Sequence, residues 1–182
     1  MKMKRKHIYL LGFMGCGKST LGRKLAQALD MPFVDTDIMI EVKAGMSVTT
    51  IFAQLGETKF RELEKEILID LAQNWEEDSV VALGGGTPAQ IGAWPLLQAS
   101  GTTVYVERTP EQLYNHVRFT NRRPVLQEVK QEELLGHIEK LLEKRVTNYL
   151  KADHIFNCKD EWGVDETIDH LVKLLKKSDE EN

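Results

Sequence analysis

The chain has 182 residues, 42% of them hydrophobic and 29% charged, with a formal net charge of −4. That length suits one well-cored domain rather than two, and the acidic balance speaks against a nucleic-acid partner, since such binders carry a basic face. Two cysteines, Cys16 and Cys158, are too few for a disulfide framework and point to a reducing compartment.

The basic start and the apolar run at 8–11 mimic the front of a signal peptide. Gly12, Gly15, Gly17 and Lys18 break that run, and no stretch approaches the roughly 20 apolar residues of a membrane span. In chain order, 7–11 reads as a buried strand and 18–29 as a helix, with Leu21, Leu25 and Leu29 at helical spacing. A short strand at 32–34 ends at Asp35, and 37–43 is helical up to Gly45. Ser47 caps a helix with Ile51, Phe52 and Leu55 on its apolar face. A long helix follows at 57–75. The run 79–83 is a strand halted by Gly84, Gly85 and Gly86, and 88–98 reads as a helix. After a strand at 102–106, Thr109 is an N-cap with Pro110 at the first helical position. A polar, basic loop at 121–127, a helix at 131–150, a strand at 154–156 and a helix at 165–176 complete the chain. Strands alternating with helices imply a parallel sheet covered on both faces, an α/β fold.

Gly12-Phe-Met-Gly-Cys-Gly-Lys-Ser19 fits the phosphate-loop pattern G-x-x-x-x-G-K-[ST], and it lies between a predicted strand and a predicted helix. Its glycines let backbone N–H groups turn inward onto phosphate oxygens, and the helix N-terminus adds positive potential. Gly12, Gly15, Cys16, Gly17, Lys18, Ser19 and Thr20 are thus the nucleotide-binding candidates. Lys18 reaches the β- and γ-phosphates and Ser19 ligates Mg²⁺. Cys16 occupies a variable position of the motif and needs no redox role. The Asn-Lys-x-Asp string expected of a GTPase is missing.

Asp35-Thr36-Asp37 stands where the second strand ends, on the ligand side of a parallel sheet. Asp35 is the candidate for positioning hydrated Mg²⁺. Asp37 either orients or deprotonates an acceptor hydroxyl, or simply caps the following helix. Arg61 and Glu64 are three apart on one helix: an exposed ion pair, or an arginine held ready for a carboxylate. Three consecutive glycines, Gly84 to Gly86, are either a flexible turn or a place where a substrate approaches the backbone. Arg118, Arg122 and Arg123 precede Pro124 in what is either a solvated basic loop or a lid that brings a guanidinium to the phosphates. Arg145 is a further candidate for an anionic acceptor group, or a surface helix arginine.

Together these strings resemble the shikimate kinases. They are Gly12 to Thr20, Asp35-Thr-Asp37, Gly45-Met-Ser47 with Ile51-Phe52, Gly56-Glu57 with Phe60-Arg61-x-x-Glu64, Gly84-Gly-Gly86, and Arg123-Pro124, spread over nearly the whole chain. The resemblance implies a P-loop fold of the nucleoside-monophosphate-kinase type. That fold is a five-stranded parallel sheet flanked by helices, in one kinase domain over 1–182. The acceptor-binding helical region falls at about 35–64 and the lid at about 118–127. The implied reaction is ATP plus shikimate to ADP plus shikimate 3-phosphate, in aromatic amino-acid synthesis. It further implies that Asp37 contacts the ring hydroxyls as base, that Arg61 and Arg145 clamp the carboxylate, and that Glu64 supports Arg61. Gly84, Gly85 and Gly86 would lie against the ring and Phe52 and Phe60 would line the pocket. Arg123 would reach the phosphates, and Arg118 would stack on adenine. The chain is expected to act as a cytoplasmic monomer on ATP and shikimate with Mg²⁺, without nucleic-acid or membrane partners. The alternatives are a sugar-acid or nucleotide kinase of the same fold, or a non-catalytic nucleotide-binding module.

Overall fold

The computed structural model describes residues 7–118, 126 and 129–180. Five strands form one all-parallel sheet: β1 (His7–Leu11), β2 (Phe33–Asp35), β3 (Val80–Ala82), β4 (Gly101–Glu107) and β5 (His154–Asn157). Their order is β2-β3-β1-β4-β5. A parallel sheet must bury both faces. Accordingly, Tyr9, Leu10, Leu11, Val80, Val81, Val104 and Val106 are buried, in near-continuous apolar runs.

Seven helices cover the described sheet: α1 (Lys18–Ala28), α2 (Thr36–Ala44), α3 (Val48–Gln73), α4 (Ala93–Ser100), α5 (Pro110–Val117), α6 (Leu134–Tyr149) and α7 (Val164–Glu180). α1 packs on α7, α2 on α3 and α5 on α6. Register decides where the chemistry goes. Asp35 pairs with Ala82, and Ala82 pairs with Leu10. The chain therefore leaves three adjacent strands on one rung. It enters α2 at Asp37, the glycine run at Gly84 and the phosphate loop at Gly12 along one sheet edge.

Local chemistry explains most element starts. Thr109 and Gln112 form a reciprocal capping box on α5, with Pro110 in its first turn. Ser47 caps α3 by accepting from Thr50 N–H. The stretch expected to be helical over 88–98 is instead a 3-10 turn at Thr87–Ala89, a break, and then α4 from Ala93. Pro95 has no N–H and fits only a first helical turn, and Gly92, with φ of 85°, stops any helix from running through it. That break sets Thr87 and Gln90 against α3.

Among the described residues no single helix is long and apolar enough to cross a membrane. α2 and α3 together reach that composition, but they are bent by 84°. Their apolar residues Ile40, Ile51, Leu63, Ile67 and Leu71 belong to the core.

The two helices expected around residues 47–55 and 57–75 are continuous in α3 except at Gly56, whose φ of 80° and ψ of 170° are not helical. That break folds Phe52 back onto Phe60, with ring centroids 4.7 Å apart. A Cβ at Gly56 would meet nothing within 4 Å, so an alanine there suffers backbone strain alone. Gly56→Ala is expected to lose about 1–3 kcal/mol in urea unfolding; an unchanged midpoint would contradict a glycine-dependent kink.

Candidate active site

The phosphate loop arcs from β1 to α1 with Gly12, Gly15 and Gly17 all at positive φ. Its carbonyls are held from outside. Arg108 Nε donates to Cys16 O at 3.0 Å, and His116 Nδ1 donates to Gly15 O at 3.1 Å. Arg108 also pairs with Asp160. Tying carbonyls outward leaves the loop's N–H groups for an anion. Lys18 is buried, with its ammonium on Gly12 O (2.9 Å) and Phe13 O (3.0 Å). Cys16 is fully buried, its Sγ 3.7 Å from Lys18 Nζ. Ser19 Oγ donates to Asp35 Oδ2 at 2.6 Å. Gly15, Gly17, Lys18, Ser19, Thr20, Asp35 and Asp37 line one cleft.

Asp35 is the N-cap of α2, accepting from Asp37 N–H at 3.1 Å. The capping role open to Asp37 from sequence thus falls to Asp35. Asp37 sits in the first turn of α2 and lines both the phosphate-loop cleft and a second, adjoining cleft. The second cleft opens to solvent beside the first. Asp37, Arg61, Gly84, Gly85, Gly86 and Arg145 converge on it, with Met14, Phe52 and Phe60 supplying apolar wall.

Glu64 anchors this cleft. It is 1% exposed, yet its carboxylate accepts from Arg61 Nη1 at 2.7 Å, from Thr87 Oγ1 at 2.5 Å and from Gln90 Nε2. Burial raises its pKa above the ordinary glutamate value, opposed by the bonds from Thr87 and Arg61. Arg61 also bonds Glu57 through Nε (3.2 Å) and Nη2 (3.0 Å). The pair Arg61–Glu64 is therefore not the exposed ion pair that spacing alone allows. Two of the glycines approach it closely: a Cβ on Gly84 would lie 2.5 Å from Glu64 Oε1 and one on Gly86 would lie 2.6 Å from Arg61 Nη1, so a side chain at either would displace those groups.

Arg145 reaches the cleft from α6 with its guanidinium 5.8 Å from the Phe13 ring. Among the described residues its buried Nη1 has no hydrogen-bond partner. A buried guanidinium N–H without an acceptor costs free energy, which an anionic ligand recovers. Arg118 ends α5, exposed, with its guanidinium 5.7 Å from the Tyr114 ring, and is not among the lining residues of either cleft. Arg122, Arg123 and Pro124 lie outside the described residues.

Sequence reasoning missed Thr87, Gln90 and Arg108. Thr87 follows the third glycine directly, and Gln90 is one turn further on. No local motif announces that either faces Glu64, which lies 23 and 26 residues away.

The family model for shikimate kinase matches residues 14–176. The chain belongs to the shikimate kinase family. A shikimate kinase of Bacteroides fragilis is 39% identical over 171 residues, spanning 93% of this chain and 94% of that protein. The crystal structure of the shikimate kinase from Bacteroides thetaiotaomicron superposes with a TM-score of 0.85 at 36% identity, covering 93% of this chain and 98% of that one. The shikimate kinase from Acinetobacter baumannii, solved in complex with shikimate, gives a TM-score of 0.86 at 30% identity, covering 96% and 95%. The chain is thus an enzyme of aromatic amino-acid biosynthesis that phosphorylates shikimate with ATP. The sugar-acid, nucleotide-kinase and non-catalytic alternatives give way to that assignment.

In a shikimate kinase with this geometry, Glu64 is a pH-sensitive anchor. With its pKa raised, it takes up a proton at higher pH than an ordinary carboxylate. As pH falls through that value it loses its charge, and Arg61 loses its buried partner. The KM for shikimate is therefore expected to climb toward acid pH before the acceptor's own carboxylate titrates. In Glu64→Gln the KM starts high and this limb disappears. Initial rates across pH check it, and superimposable profiles would contradict it.

Proposed function

We propose that Asp37 is the group on which phosphoryl transfer turns, because it alone of the described acidic residues lines both clefts. ATP lies along the phosphate loop, its β- and γ-phosphates bound by loop N–H groups, Lys18 and the start of α1. Lys18 exchanges the Gly12 and Phe13 carbonyls for phosphate oxygens. Shikimate, a small hydroxylated carboxylic acid, occupies the adjoining cleft. Arg61 and Arg145 grip its carboxylate, the glycine run lies against its ring, and Phe52 and Phe60 wall its apolar side.

Its reacting hydroxyl faces Asp37. The hydroxyl oxygen forms a bond to the γ-phosphorus as the bond from that phosphorus to the bridging oxygen of ADP breaks. Asp37 accepts the hydroxyl proton. Positioning supplies most of the rate, because phosphoryl transfer asks little covalent chemistry of the protein.

Ser19 and Asp35 fit a hard divalent cation: their oxygens meet beside the phosphate loop at 2.6 Å. Mg²⁺ keeps waters and phosphate oxygens in its shell, so these two oxygens with the phosphates would hold it. When bound, Mg²⁺ neutralises charge on the β- and γ-phosphates. Arg123 is assigned to the transferring phosphoryl group and Arg118 to adenine on their match to the family motif. The same reading makes the enzyme a cytoplasmic monomer with two small-molecule substrates.

Asp37→Asn keeps the side-chain size and removes the base. It is expected to lower kcat by about 10²–10⁴ while leaving the KM for ATP near wild type. A kcat close to wild type would remove Asp37 from the mechanism.

A further inference from the structure

Tyr149 ends α6 one helical turn beyond Arg145. Its ring is buried against Tyr105, with centroids 5.1 Å apart, and its hydroxyl donates to Gly85 O at 2.6 Å. A carbonyl only accepts, so the proton belongs to Tyr149. Burial pushes that hydroxyl's pKa far above the ordinary tyrosine value despite the opposing charge of Arg145, so the donor survives at any working pH.

A trans peptide is planar, and the described chain contains no cis bonds. The Gly85 carbonyl and the Gly86 N–H therefore point in opposite directions. Fixing one aims the other. Among the described residues the Gly86 N–H has no hydrogen-bond partner. The same peptide runs between the two guanidiniums: a Cβ on Gly85 would lie 3.4 Å from Arg145 Nη1, and one on Gly86 would lie 2.6 Å from Arg61 Nη1. α6 thus reaches the cleft twice, through Arg145 and through the peptide that Tyr149 grips.

We propose that Tyr149 is a positioning residue for the acceptor: by holding the Gly85 carbonyl it turns the Gly86 N–H into the cleft, where that N–H donates to shikimate between Arg61 and Arg145. Three unsubstituted residues make a compliant loop. Without the Tyr149 hydroxyl, the peptide is free to rotate and binding must order it. The penalty falls on acceptor affinity and leaves the ATP site alone. This inference rests on the acceptor assignment above.

Tyr149→Phe keeps the buried ring and deletes only the hydroxyl. It is expected to raise the KM for shikimate about three- to tenfold, the worth of one hydrogen bond. The rise is expected to be equal at every pH across the neutral range, with kcat and the KM for ATP retained. Arg145→Ala, assayed alongside, separates the two layers. If it leaves the KM for shikimate unchanged, the acceptor assignment fails and this inference with it. If it raises the KM but Tyr149→Phe does not, the assignment stands and the positioning role is overturned, even where Tyr149→Phe lowers the unfolding midpoint. A second measurement needs no variant. In the wild-type enzyme with ADP, saturating shikimate is expected to slow amide exchange at Gly86, and an unchanged exchange rate would overturn the inference.

Discussion

A buried carboxylate holds the acceptor side of this enzyme together. Glu64 sits at the sheet edge with almost no access to water, and three donors from two chain segments meet its two oxygens. A carboxylate in such a place is costly unless fully hydrogen-bonded. The segments after β3 and along α3 must therefore keep their relative positions whenever Glu64 is charged. Gly84 lies directly against it, where a Cβ would come within 2.5 Å of Oε1, and Arg61 is oriented by it. Losing any one donor leaves the buried charge less well satisfied, so Thr87 and Gln90 support Glu64 although neither is among the residues that line the cleft beside it.

The other half of the site depends on strand register. Asp35, Ala82 and Leu10 lie on one rung of a parallel sheet, and each chain segment turns immediately after it. The phosphate loop, Asp37 and the glycine run are therefore neighbours without any special device. Asp35 serves both halves: it caps α2, which places Asp37, and it meets Ser19 at the start of α1. Arg108 and His116 then hold the phosphate loop from its far side.

Most of this was legible in the sequence because the decisive signals are local. The apolar runs of the buried strands, the phosphate-loop glycines, Thr109-Pro110 and the Ser47 cap each depend on residues within a turn of one another. The helix expected at 88–98 failed because apolar spacing outvoted Pro95 and Gly92, which forbid an early start. Whether Asp37 caps α2 was open in the sequence, because a helix-start acid fits that pattern; the structure gives the cap to Asp35, two residues earlier. Thr87, Gln90 and Tyr149 were invisible for another reason: each acts on a partner at least 23 residues distant, and no periodicity encodes such a pairing. Arg61 illustrates the middle case. Its spacing from Glu64 was plain, but only burial of Glu64 distinguishes a poised guanidinium from a surface ion pair worth a few tenths of a kcal/mol.

In the proposed complex Arg61 and Arg145, brought from α3 and α6, close on a single carboxylate beneath the glycine run while Asp37 faces the hydroxyl. A crystal structure of the enzyme with ADP and shikimate is the decisive test. Both guanidiniums are expected within hydrogen-bond distance of one shikimate carboxylate, with Arg61 still bonded to Glu64 and Asp37 on a ring hydroxyl that points at the β-phosphate of ADP. A carboxylate bound elsewhere, or a shikimate whose hydroxyls avoid Asp37, would contradict it.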